Sequence, residues 1–239
     1  MADLLALAVR TWLRFIVPLT LLSAVTLCLV AYVAHAVTPP PDLPQARVAI
    51  HLGWILAGTA WVFQLVLVAA AAPLVASVAR DAPLSQLQAL VAGARGLGRG
   101  LVPCGVAIAA IVLGGVALVV PGVLLLGLFA LTGASDRLGD PLPAALADSI
   151  AVVRAHARTV ALALAVIIAA DLAIALVAHL AILPALPKPK PPLAVLAPAR
   201  TFVRIVALAL IAGSAVPACV LAAIYQRAST AAASAASRA

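Results

Sequence analysis

The chain has 239 residues, 66% of them hydrophobic and 9% charged, with a formal net charge of +8. A soluble domain carries roughly 25% charged residues, and the recurring apolar runs exceed what a soluble core can bury, since about 20 residues suffice to cross a bilayer. The positive charge does not indicate nucleic acid, because the basic residues sit in small groups at the ends of apolar runs and aromatic content is only 4%, without a solvated basic domain.

The pattern predicts an all-α polytopic membrane helical bundle forming one domain over residues 1–227, with about six spans. The first, Phe15–Val37, follows Arg10 and Arg14. Ala34-His35-Ala36 fits a cleavage site, but the apolar run ahead of it outlasts the roughly 7–15 residues of a signal segment, so this run reads as a retained helix. The second span, Val48–Pro73, stays apolar beyond Pro73 as far as Ala79, and a kink is expected at that proline. Residues 101–120 and 121–134 form the third and fourth, turning at Val120-Pro121-Gly122. Each reaches only about 25 Å at 1.5 Å per residue, against a hydrocarbon core of about 30 Å. Either both helices extend toward Arg99 and Arg137 or the pair is a re-entrant hairpin. Thr159–Leu183 and Phe202–Tyr225 complete the set, and the Ala/Ser-rich tail, 228–239, is expected to be disordered.

Loops on one side carry ten of the fifteen basic residues, from Arg10 and Arg14 to Arg227 and Arg238, against Arg47, Lys188, Lys190, Arg200 and Arg204 on the other. The excess places both termini in the cytoplasm. The outer loops are Pro-rich at 38–44 and 184–198 and read as stiff connectors, the other reading being a docking strip for an extracytoplasmic partner. Lysine appears only at 188 and 190 amid abundant Ala, Val, Leu and Arg, which suggests a bacterial plasma-membrane protein from a GC-rich genome.

A repeated signature organises the middle of the chain. Asp81-Ala82-Pro83-Leu84 leads to Arg95 and Arg99, and Asp140-Pro141-Leu142 leads to Arg154 and Arg158. Leu84, Leu87, Val91, Ala94 and Leu97 form an apolar stripe at helical spacing, as do Leu142, Leu146, Ile150 and Val153. Asp81 and Asp140 are expected to be N-caps. Each copy then makes an amphipathic surface helix ahead of a span, and a fainter copy with Arg10 and Arg14 precedes the first. Arginines four apart share a helix face suited to anionic headgroups or to other membrane-protein subunits.

Val119-Val120-Pro121-Gly122-Val123, a further apolar run, Asp136, Ala145-Leu146-Ala147-Asp148-Ser149 and Arg154 together resemble a "PG" and "ALxxS" region. That region is found in a group of bacterial six-helix membrane proteins. The group includes the YciC-type proteins and the membrane domain attached to some glycerophosphoryl diester phosphodiesterases. The pattern departs at Asp136-Arg137, where an acidic residue followed by Gly is usual, and no soluble catalytic domain flanks the spans. The resemblance implies a helical membrane domain with an accessory or regulatory role and transfers no catalytic residue.

Asp171 falls at the midpoint of its span, where an ionised carboxylate costs at least ~2.5–3.5 kcal/mol. It must therefore be protonated or paired, and Gln64 in the second span is a candidate partner. A proton or cation relay and a hydrogen-bonded helix cross-link both fit. His35, His51 and His179 lie toward the outer ends of their spans without i, i+4 spacing, and the cysteines Cys28, Cys104 and Cys219 show no CxxC pair, so neither metal nor cofactor is expected. Asp136, Asp140, Asp148 and His156 crowd the cytoplasmic side, but no nucleophile motif or phosphate loop accompanies them. The sequence therefore favours a non-enzymatic scaffold or accessory subunit over a small transporter or lipid-handling protein working through Asp171 and Gln64.

Overall fold

A computed structural model describes residues 2–37, 60–82, 84–117, 119–138, 140–182, 204–205, 207–211 and 213–236. The described chain is helical throughout, without a strand. Its helices are α1 (Ala2–Arg14), α2 (Ile16–Val37), α3 (Ala60–Ala79), α4 (Gln86–Ala117), α5 (Val119–Phe129), a 3-10 turn at Thr132–Ala134, α6 (Leu142–Ala155), α7 (Ala157–Ile182) and α8 (Ala215–Ala236).

The centre of the bundle is α3. Every residue from Gln64 to Ala71 is buried, so this helix is enclosed on all sides rather than along one stripe. It packs against α4, α8, α2, α1 and the 3-10 turn. Its close partner is α4, whose inward face is a ridge of small residues, Ala89, Gly93, Gly96, Gly100, Cys104 and Ala107. A Cβ at Gly96 would collide with the Ala69 carbonyl oxygen, and one at Gly100 with the Ala69 Cβ. The Cys104 thiol donates to the Leu65 carbonyl at 3.6 Å. Without a hydrophobic force between helices in lipid, such close backbone approach supplies the dispersion contacts that hold a bundle together.

This ridge corrects the expected stripe of the first repeat copy. Leu87 and Val91 are 71% and 40% exposed, and Ala94 is exposed as well. The glycines face the protein because only they admit the α3 backbone, and the larger apolar side chains turn outward. Neither aspartate of the repeat is an N-cap. Asp81 takes φ +50° just past the end of α3, where the Ala82 and Asp81 amides bond to the Ser77 and Val78 carbonyls, a left-handed helix terminus. The cap of α4 is Ser85, whose Oγ accepts from the Gln88 amide while Gln88 Oε1 accepts from the Ser85 amide, a reciprocal capping box. Pro141 occupies the N-cap position of α6, with no side-chain cap bond.

Two corners shape the rest. The α1–α2 pair bends by 87° at Phe15 and the α6–α7 pair by 99° at His156. In both, one buried stripe continues across the break. Leu4, Ala8, Thr11, Phe15, Leu19, Leu22 and Thr26 run through the first, and Ala145, Ser149, Val153, Val160, Ala163 and Ile167 through the second. Bending lets a single stripe cover first the end and then the flank of the bundle. The Arg14 carbonyl at the end of α1 is met by the Gln86 amide nitrogen of α4 at 2.8 Å, which gives this helix end one of the partners its carbonyls need.

Six spans are not shown. Among the described residues, the segments Gln86–Gly114 and Ala207–Ala231 are each long and apolar enough to cross a membrane, and the count rises to four if each bent pair is one span. The described part of α3 and the 11-residue α5 are shorter, α5 reaching about 16 Å. The break between α4 and α5 lies ahead of Val119, so Pro121-Gly122 sits in the first turn of α5, where proline is tolerated, rather than in a turn. Residues 48–59 of the second expected span and both Pro-rich loops lie outside the described residues. The Ala/Ser-rich tail is helical as far as Ala236: alanine is the strongest helix former, and the Ser229 and Thr230 hydroxyls bond back to the Gln226 carbonyl.

Candidate functional site

Among the described residues, two side-chain hydrogen-bonded centres interrupt this apolar bundle. In the first, Gln64 Nε2 of α3 donates to Asp171 Oδ2 of α7 at 2.8 Å. Gln64 is 3% exposed, and Asp171 is half-buried. At 1.5 Å per residue Asp171 lies about 21 Å along α7 from Ala157, well away from the corner. The bond joins the central helix to α7, which among the described residues rests on α8, α5 and α6 and buries Val160, Ala163 and Ile167. A carboxyl group there, with one amide donor, can hold a proton or cross-link two helices, and the bond serves either role.

The second centre lies where the 3-10 turn, α6 and α8 meet. Asp148 Oδ2 accepts from the Ser135 hydroxyl and from the Tyr225 hydroxyl, both at 2.6 Å. The Tyr225 oxygen in turn accepts from the Asp136 amide at 3.0 Å, and Ser135 Oγ from the Arg137 amide at 3.2 Å. Ser149 donates to the Leu128 carbonyl at 2.9 Å. Beneath the turn, Gly133 lies so close to α3 that an added Cβ would come within 2.8 Å of the Ala69 amide nitrogen and 2.9 Å of the Leu65 carbonyl oxygen. Burial and the neighbouring Asp148 carboxylate raise the Asp136 carboxyl above its ordinary range, with Arg80 partly offsetting them. Each hydroxyl donates to a carboxylate or a carbonyl, so the cluster is a clasp that closes the α5–α6 connection under the bundle.

The clasp is built from residues whose spacing in the sequence points to no contact between them. Asp148 and Ser149 belong to the ALxxS-like segment, where spacing gave no contact for them. Tyr225 was only the end of the last span, and its signal was a phenol at the edge of an apolar helix, which needs a hydroxyl partner once buried. Asp140 joins a turn through its amide and the Arg137 carbonyl, and His156 stands exposed at the second corner.

The six candidate arginines are all exposed. Arg10 and Arg14 lie on α1, with the Arg14 guanidinium 5.7 Å from the Phe15 ring centroid. Arg95 and Arg99, four residues apart, share one face of the unbroken α4. Arg154 and Arg158 do not share a helix face, because the 99° corner falls between them. The side chains of His35, His51 and His179 lie outside the described residues. Among the described residues no group of three His, Cys, Asp or Glu side chains comes together as a metal site. No protein-family model, curated protein or solved structure matches the chain.

Proposed function

We propose that the chain is a non-enzymatic integral-membrane scaffold or accessory subunit of the bacterial plasma membrane, with both termini cytoplasmic. The observation that carries this reading is the pair of right-angled corners. Each lays an arginine-bearing helix across the end of an apolar one, the geometry expected of a helix lying in the membrane interface. On α1 the outward residues Leu5, Val9 and Leu13 are 48%, 41% and 60% exposed. They form a second apolar stripe beside Arg10 and Arg14, so one side of the helix suits lipid and the next suits headgroups. Exposed arginines on α1, α4 and α6 then make a basic platform for anionic lipid or a partner subunit, each worth about 1 kcal/mol near an anionic surface.

Affinity purification in mild detergent, with mass spectrometry of bound proteins and lipids, tests the reading. A stoichiometric partner that is lost when Arg10, Arg14, Arg95 and Arg99 are changed to Gln is the expected result. Unaltered lipid and protein association in that variant would sink it.

The Gln64–Asp171 bond favours a second reading, a small transporter or lipid-handling protein whose proton or cation site is Asp171. In proteoliposomes this reading requires a proton-coupled flux that Asp171→Asn abolishes. Equal flux in both proteins would refute it.

A further inference from the structure

A groove of about 250 Å³ lies between the start of α1, the end of α3 and the last turns of α8, lined by Asp3, Leu4, Leu7, Ala79, Gln226, Arg227 and Thr230. It sits at the end of α1 away from the first corner, on the side where α3 ends at Ala79. Its apolar lining comes from Leu4 and Leu7 and from Ala79, which is exposed at its edge. Its rim holds one carboxylate, Asp3, and one guanidinium, Arg227, and among the described residues these two form no ion pair with each other. Gln226 is 8% exposed; its carbonyl is used by Ser229 and Thr230, and its side-chain amide has no partner among the described residues.

An anion alone would meet Arg227 but also Asp3, and a cation alone the reverse. A ligand carrying both charges a few ångströms apart satisfies the two walls together, through charge-assisted hydrogen bonds that outlast neutral ones at a wet surface. The amphipathic position under a surface helix suits a lipid headgroup, and the volume suits a headgroup rather than a whole lipid, being below the roughly 300–1,000 Å³ of pockets that enclose drug-sized molecules. We propose that this groove binds the phosphoethanolamine headgroup of a membrane lipid, with phosphate on Arg227 and the Gln226 amide and the primary ammonium on Asp3. Choline fits poorly, because its quaternary nitrogen has no N–H for Asp3 and no aromatic ring lines the groove to hold it. Glycerol headgroups give Asp3 no cation, and a serine headgroup adds a second carboxylate beside it.

The inference rests on α1 lying at the membrane surface, as the proposed function has it. The test uses the full chain in nanodiscs of equal phosphatidylethanolamine, phosphatidylcholine and phosphatidylglycerol, with the lipids retained through delipidation read by native mass spectrometry. One phosphatidylethanolamine per protein is the expected result. Asp3→Asn should lower its preference over phosphatidylcholine by about tenfold, the scale of one charge-assisted hydrogen bond. Arg227→Gln should release both lipids. Ala79→Phe, at an exposed lining position, should empty the groove while leaving both charges in place.

Equal retention of the three lipids, or a wild-type preference in all three variants, overturns the assignment. Capture of soluble O-phosphoethanolamine without any retained lipid overturns the lipid source. A label at Val9→Cys separates the two failures. Lipid-phase contact there with no headgroup preference rejects only the groove, whereas full access to aqueous reagents rejects the surface position of α1 itself.

Discussion

Residues 81–99 and 140–158 carry one signature and build two different objects. The first becomes the start of one unbroken 32-residue helix, α4, which continues through Pro103; the second becomes a surface helix that turns by 99° before its last arginine. Local propensity points the other way. The first copy holds Gly93, Gly96, Gly98 and Gly100, poor helix formers, while the second has Val152, Ala155, Ala157 and Thr159 at the matching positions. The glycine-rich copy continues unbroken because Gly93, Gly96 and Gly100 bring its backbone against α3 and Leu22, and that contact runs on to Cys104, whose thiol meets the Leu65 carbonyl. The second copy has no such groove and follows its stripe around the corner of the bundle. Helix continuity in this protein is therefore set by what the helix lies against, and intrinsic propensity is overridden.

The contrast breaks most visibly at Gly96. Gly96→Leu should abolish the folded, monodisperse protein in detergent. Gly96→Ala should cost about 1–3 kcal/mol through overpacking, read as a lower thermal midpoint. Gly98→Ala, two residues on with nothing within 4 Å of its added Cβ, should instead be neutral or stabilise by up to about 1 kcal/mol. If Gly96→Ala behaved like Gly98→Ala, the continuity of α4 would need another cause.

Paired spin labels then sharpen the geometry. Leu87→Cys with Val112→Cys, and Ala147→Cys with Leu172→Cys, have the same separation in sequence and lie at exposed sites. At 1.5 Å per residue the first pair should be about 38 Å apart and the second, across the 99° corner, about 26 Å. Equal distances would erase the difference between the copies.

The caps give a smaller effect of the same kind. Ser85→Ala removes the capping box and should cost about 1 kcal/mol, while Asp140→Ala, with no side-chain cap bond to lose, should change the thermal midpoint little. The smallest effect belongs to Asp136, beside the second copy. Its carboxyl is raised by burial and by Asp148, so the folded state favours the protonated form. Stability should be lower at neutral pH and should recover as pH falls through the raised value toward about 4, the ordinary carboxylate range. Asp136→Asn should flatten that slope in pH-dependent melts.

Much of the architecture was legible from residues alone. Apolar runs of bilayer length, arginines at their ends and helical spacing throughout come from local chemistry, since backbone groups in lipid must be satisfied within the segment. The pairing of Gln64 with Asp171 was within reach because a mid-span carboxyl needs a partner and polar residues at that depth are few. The clasp of Ser135, Asp148 and Tyr225 was not, because its members are far apart in sequence and only the fold of the 3-10 turn against α6 and α8 brings two hydroxyls to one carboxylate oxygen.

The sequence by itself determined that the chain is helical and apolar and where its basic groups lie, because each of these is a property of a residue and its near neighbours. The tertiary structure alone decided which face of each helix is inward, which of two like signatures bends, and which aspartate caps a helix end. Those outcomes depend on the shape of the opposing surface: a ridge of glycines is information only once another backbone lies close enough to need it.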